Sequence, residues 1–252
     1  MSSEQNVRSV GRAVSILQCF NVETPERTFN EIANCIGLSK STTHRLLGTL
    51  EHDRMIEFND ENGTYRLGRE VLRLGSVAAA GIDVLSQAAA VLLGLTKETD
   101  ETSLLIIPNE TETLCVRRFD GSSPGLDMFP REGERSPFNC GAGQRVLLAH
   151  APETSWRNIV ANEVRPLTQY SLASEAALDH DRSDIIKKGY SLGWEDIALH
   201  TCDVAAPVRN GKAEVVAAVS LCGIVQRFSA ERLPVLIQAV MEAGNRLSTD
   251  LS

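Results

Sequence analysis

Apolar residues recur at three- and four-residue intervals almost from the start of the chain. Val10, Ala13, Val14, Leu17 and Phe20 form one stripe and predict a helix with that stripe buried. A polar stretch through Pro25 follows, and Thr28 and Glu31 stand at capping-box spacing, so that the hydroxyl accepts a first-turn N–H and the glutamate reaches back. Ile32, Ala33 and Ile36 then point inward from a second helix. Gly37 supplies the positive φ of a tight turn, Leu38 plugs the core, and Ser39 caps a third helix. In that helix Thr43, Leu46, Leu47 and Leu50 share one stripe, leaving Lys40, Ser41, His44, Arg45 and Gly48 outward and Thr42 at the margin. Alternating runs at residues 55–58 and 64–67, joined by Asn59-Asp60-Glu61-Asn62-Gly63, predict two strands and a turn.

Beyond this point the period changes twice. Val71, Leu72, Leu74, Val77 and Ala78 describe an amphipathic helix ended by Gly81, and a second helix over residues 83–97 is apolar on so much of its surface that something must cover it. Strand-like runs at residues 103–107 and 113–119 bracket Pro108-Asn109-Glu110. Runs at 202–208 and 214–222 flank Asn210-Gly211, a strong hairpin signal. Helices are expected near 142–150, 155–162, 174–188 and 229–248. Strands with separate covering helices make this an α+β chain, with a helix-turn-helix and wing at 1–68, a linker helix at 69–82 and a larger domain at 83–252.

A net charge of −8 argues against a nucleic-acid partner, and the first seventy residues are no basic arm, with eight basic and ten acidic side chains. The objection weakens locally. From Ile36 to Leu50 there is Lys40 and Arg45 and no acid, on the outward face of a capped helix that a major groove accepts. Arg66, in the second wing strand, is placed to touch a backbone phosphate. Six scattered cysteines without a CxxC suggest free thiols in a reducing compartment, and the first residues lack a leader pattern, so a cytoplasmic protein with no membrane contact is expected.

Ser9-Val10-Gly11-Arg12-Ala13, Phe29-Asn30-Glu31-Ile32-Ala33, the run from Gly37 to Leu47, and Tyr65-Arg66-Leu67-Gly68 resemble the IclR family of transcriptional regulators. The resemblance runs over essentially the whole chain. It implies a winged helix-turn-helix domain, a linker helix that helps pair subunits, and a GAF-like effector-binding domain, acting as a homodimer or dimer of dimers on an operator of double-stranded DNA. The family's recognition pattern falls on Ser41, Thr42, His44 and Arg45. Thr43 departs from it, since an aliphatic residue is usual there, and is expected to pack by its methyl.

The effector would sit at the start of the helix after Pro137-Phe138-Asn139-Cys140. Gly141 and Ala142, which match the family's effector loop, offer free N–H groups and the positive end of a helix dipole to an anion, so a small organic acid is expected. In the run from Val215, alternation puts Ser220 and Cys222 side by side, and Cys202 from the preceding strand is expected to join them. These positions match the family's pocket pattern. Trp194 is expected to line the pocket and bias it toward an aromatic or otherwise apolar carboxylate. Two other readings use the same residues: a metal- or oxidant-responsive regulator built on Cys140, Cys202, Cys222 and His200, and an enzyme with Cys140 as nucleophile and His200 as base. GxSxG, HExxH and P-loop motifs are absent, and neither a catalytic residue, a cofactor nor a resident metal is assigned.

Overall fold

Capping fixes the order of the first helices. The computed structural model describes residues 7–122 and 127–250; the six N-terminal residues, read above for a leader, lie outside them. α1 (Arg8–Gln18) packs through Ala13, Ile16, Leu17 and Phe20, with Ile16 fully buried. The expected stripe is thus turned by part of a step, and Val10 and Val14 are 59% and 45% exposed. The capping box forms as expected: Thr28 N–H donates to Glu31 at 2.7 Å and Glu31 N–H to Thr28 Oγ1 at 3.4 Å, starting α2 (Phe29–Ile36). Gly37 turns the chain at φ +62°, and Ser39 accepts from Thr42 N–H to open α3 (Lys40–His52). Thr43 is fully buried, its hydroxyl satisfied by Ser39 O at 3.1 Å.

The wing is β2 (Ile56–Asn59) against β3 (Thr64–Leu67), with Ile56 opposite Leu67. A third strand, β1 (Glu26–Thr28), joins the far side of β3. Its three polar residues carry no alternation, so the sequence gives no sign of it. Glu26 binds the wing through Thr64 Oγ1 and Asn62 Nδ2 at 2.7 and 2.8 Å. Ile16, Phe20, Ile32, Leu47, Leu50 and Ile56 form the core of this unit, which the contacts delimit as Met1–Gly81. α4 (Arg69–Ala80) buries no residue, and Leu72 and Val77 are 73% and 61% exposed. The expectation of six free thiols fails here: the end of α1 meets α2 with Cα atoms 6.4 Å apart, within bridging reach, and Cys19 and Cys35 form a disulfide.

The second unit, Ile82–Ser252, is a six-stranded antiparallel sheet in the order β6-β5-β4-β9-β8-β7. Its strands are β4 (Thr102–Asn109), β5 (Glu112–Phe119), β6 (Arg135–Ser136), β7 (Ser191–Trp194), β8 (Thr201–Arg209) and β9 (Val215–Ile224). α5 (Asp83–Thr99) and α9 (Leu233–Asp250) pack together over one face, which explains the apolar surface of α5. On the other face α6 (Ala142–Ala149), every residue of it buried, lies on β8 and β9, with α7 (Glu153–Asn162) and α8 (Glu175–Lys188) outside it. No single helix among the described residues is long and apolar enough to cross a membrane.

Candidate functional site

The polar face of α3 is assembled as the helical spacing demands. Lys40, Ser41, His44 and Arg45 are exposed and Thr42 half-buried, while Thr43 and Leu47 hold the helix to the core. Among the described residues no carboxylate pairs with Lys40 or Arg45, so both charges are available to an anion. Ser39 Oγ lies 3.0 Å from Thr42 Oγ1, which fixes one hydroxyl at the helix start. Arg66 differs. Its guanidinium is held by Glu57 at 2.8 Å, and this pairing keeps Glu57 below the usual carboxylate range. Arg69 was not singled out from the sequence, yet its side chain is 93% exposed at the start of α4, with Glu57 only at 4.0 Å.

The second site gathers at the start of α6. Gly141 adopts φ +93°, a conformation that favours glycine, and a β-carbon there would also run into Gln144 Oε1 and Ile197 Cδ1. The N–H groups expected to be free are not. Gly141 N–H donates to Asp196 Oδ2 at 3.0 Å and Ala142 N–H to Asp203 Oδ2 at 2.7 Å. Both carboxylates also converge where a β-carbon on Gly193 would stand, with Asp196 Oδ1 2.8 Å from that point. Arg145, buried one turn into α6, pairs with Asp181 at 2.7 Å and lies 3.3 Å from Asp196, and donates to Leu192 O. Burial, with Asp196 alongside, pushes Asp203 up to about 7 against the pull of Ala142 N–H and Arg145.

Strand register decides which expected residues share this site. Asp203 pairs with Cys222 and Gly193, and Ala205 with Ser220, so Asp203, Ser220 and Cys222 face α6 together. Ser220 Oγ lies 3.6 Å from Cys222 Sγ and donates to Val204 O. Cys202 pairs with Gly223 and Trp194, placing both Cys202 and Trp194 on the opposite face. The cause is a one-residue bulge between Val208 and Arg209. Arg209 pairs with Val215, and continuing that register would have set Cys202 opposite Cys222; beyond the bulge Val208 pairs with Ala217, and Asp203 takes the position instead. Trp194 is 42% exposed and lines no part of the α6 site. The residues missed, Asp203 and Arg145, are buried charges, as is Asp196, one of the two acids that follow Trp194, and a buried charge is detectable from sequence only once the register is known.

The thiols do not meet. Cys140 is buried with Sγ on Arg165 O at 3.3 Å, and burial raises its pKa, as it does for Cys202 and Cys222. His200 is exposed, its ring 3.6 Å from Glu195. Among the described residues no three His, Cys, Asp or Glu side chains are grouped to hold a metal ion.

A capped helix-turn-helix with a three-stranded wing, followed by a separate sheet domain with a polar site under one helix, defines a ligand-sensing type of DNA-binding regulator. Residues 9–60 match the IclR helix-turn-helix domain and residues 77–249 the C-terminal domain of bacterial IclR transcriptional regulators, and the chain belongs to the IclR family of transcriptional regulators. It is 32% identical over 246 residues to the HTH-type transcriptional regulator XynR of Escherichia coli K12, covering 97% of each chain. The fold matches the crystal structure of an IclR transcriptional regulator from Alicyclobacillus acidocaldarius with a TM-score of 0.86 at 24% identity, covering 98% of this chain and 100% of that one. It also matches an IclR homologue from Microbacterium hydrocarbonoxydans solved with 4-hydroxybenzoate, TM-score 0.84 at 22% identity, covering 96% of this chain and 98% of the other.

Proposed function

We propose that residues 1–68 bind an operator in double-stranded DNA through α3, and that a small organic molecule held under α6 in residues 83–252 changes that binding through the linker at 69–82. The observation that carries this reading is the acid-free, exposed run of Lys40, Ser41, His44 and Arg45 on a helix whose opposite side is locked into the core. Lys40 and Arg45 neutralise phosphates or reach base edges, Ser41, Thr42 and His44 read edges, and Arg66 reaches phosphate only by leaving Glu57. Two such units on one operator require a homodimer or dimer of dimers. The exposed apolar side chains of α4, Leu72, Leu74 and Val77, support pairing of subunits there. The reading places the protein with the DNA, in the cytoplasm.

The ligand contacts in this reading are Gly141, Ala142, Ser220 and Cys222. That one structural neighbour was solved with 4-hydroxybenzoate favours an organic acid, but an acid here has to take the two N–H groups from Asp196 and Asp203. An electrophoretic shift on DNA upstream of the protein's own gene tests the whole. The wild type is expected to shift one fragment sequence-specifically and Arg45→Ala to bind it at least tenfold more weakly; equal binding of both, or no binding to any upstream fragment, removes the reading.

A further inference from the structure

We propose that the site under α6 takes a ligand whose head group donates hydrogen bonds, a hydroxyl or an ammonium, and rejects free carboxylates, because Asp203 already occupies the anion position at the helix start. The inference rests on the effector reading above and specifies its ligand class.

Three observations meet here. The first is occupancy: the Gly141 and Ala142 N–H groups, the natural seat of an anion, are engaged by Asp196 and Asp203 at 3.0 and 2.7 Å. The second is charge. Asp181, Asp196 and Asp203 gather around Arg145, and a ligand carboxylate would bring another negative charge into a buried site where like charges repel strongly. The third is an unanswered acceptor. Gln144 is 1% exposed, its Oε1 has no donor, and it lies over Gly141 at the mouth of the helix. A buried acceptor without a donor is costly, and native proteins rarely leave one unless something else supplies the proton. The Ser191 hydroxyl, on the same sheet face as Asp203, is also buried and unpartnered. A hydrogen-bond donor on the ligand supplies what Gln144 lacks.

Burial, with Asp196 alongside, holds Asp203 up to about 7. The groups facing Asp203 are Asp196 from the loop after β7, Arg145 of α6, and Ser220 and Cys222 of β9.

The test is calorimetric titration of the full-length protein with glycerol and xylitol as hydroxyl donors, ethanolamine and putrescine as ammonium donors, and pyruvate and benzoate as acids. At least one donor is expected to bind the wild type tenfold or more tighter than either acid. Asp203→Ser frees the Ala142 N–H and removes a charge, and the order is expected to reverse; Asp203→Asn, closer in shape, serves if the serine variant does not fold and is expected to bring donors and acids within tenfold of each other. Tightening as pH rises from 6 to 8 assigns the head group as ammonium, and a flat profile as hydroxyl. Pyruvate or benzoate binding the wild type as tightly as either variant overturns the inference and leaves the effector reading standing. Failure of every donor to bind the wild type also overturns it, and failure of all six probes on all forms removes the effector reading with it.

Discussion

Asp203 and Ala142, 61 residues apart, are joined by a 2.7 Å hydrogen bond from the Ala142 N–H to the Asp203 carboxylate, which ties β8 to the first turn of α6. The acid is buried within the domain, and its charge is met by the Ala142 N–H, Arg145 and Ser220. Its ionisation is therefore linked to folding.

The linkage has a definite sign. A carboxylate raised to about 7 in the folded state, from about 3.9 in an unfolded chain, contributes stability below the unfolded value that is lost as pH rises through 7. The C-terminal domain is expected to melt at a lower temperature at pH 8 than at pH 5.5, and Asp203→Asn to flatten that dependence. His150 works in the other direction, because burial lowers its pKa and its contribution disappears as pH falls. The difference between wild type and variant melting curves isolates Asp203, and parallel curves would contradict its assignment.

Glu101 is fully buried on the far side of the sheet domain and is shared by Arg227 and Arg232. Removing it leaves Arg227 and Arg232 partly exposed and still bonded to Asp100 and to backbone carbonyls, so the cost is that of losing hydrogen bonds to a charged group, about 1.5 to 3 kcal/mol. Glu101→Ala is expected to lower denaturant stability by that order, without altering operator contacts in any molecules that remain folded.

At the wing, the ion pair with Glu57 has to open before Arg66 can reach DNA as proposed. Glu57→Gln is expected to release Arg66, tighten binding to unrelated DNA sequences, and steepen the salt dependence by about one unit of slope. Unchanged slope would mean that Arg66 points away from the phosphates.

Thr28 carries the capping box that begins α2. Thr28→Ala is expected to destabilise the N-terminal unit by about 1 kcal/mol. Thermal melting of the variant, with Thr28→Ser as a control that keeps the hydroxyl, separates loss of the cap from loss of packing.

Most of the N-terminal unit was legible because its determinants are local. Thr28, Glu31, Gly37 and Ser39 act on neighbours within three residues, and each behaves in the structure as its spacing predicts. The burial of α1 was read less well: Val10 and Val14 satisfy the apolar period yet stay exposed, while Ile16 carries the contact. Determinants set by distant partners were not legible. β1 exists through its pairing with β3, and the Cys19–Cys35 bridge exists because α1 and α2 pack closely. In the sheet domain, alternation correctly grouped Ser220 with Cys222 within one strand. It failed across strands, assigning Cys202 where Asp203 stands, because pairing depends on a bulge with no sequence mark of its own.

That bulge between Val208 and Arg209 means that the choice of side chains facing α6 is written partly in strand length. Two homologous chains with the same residues in this hairpin, differing only by one inserted position near its turn, would present a thiol in one case and an acid in the other. In this architecture a shift of register alone can therefore exchange the side chain that faces α6, with no substitution in either strand.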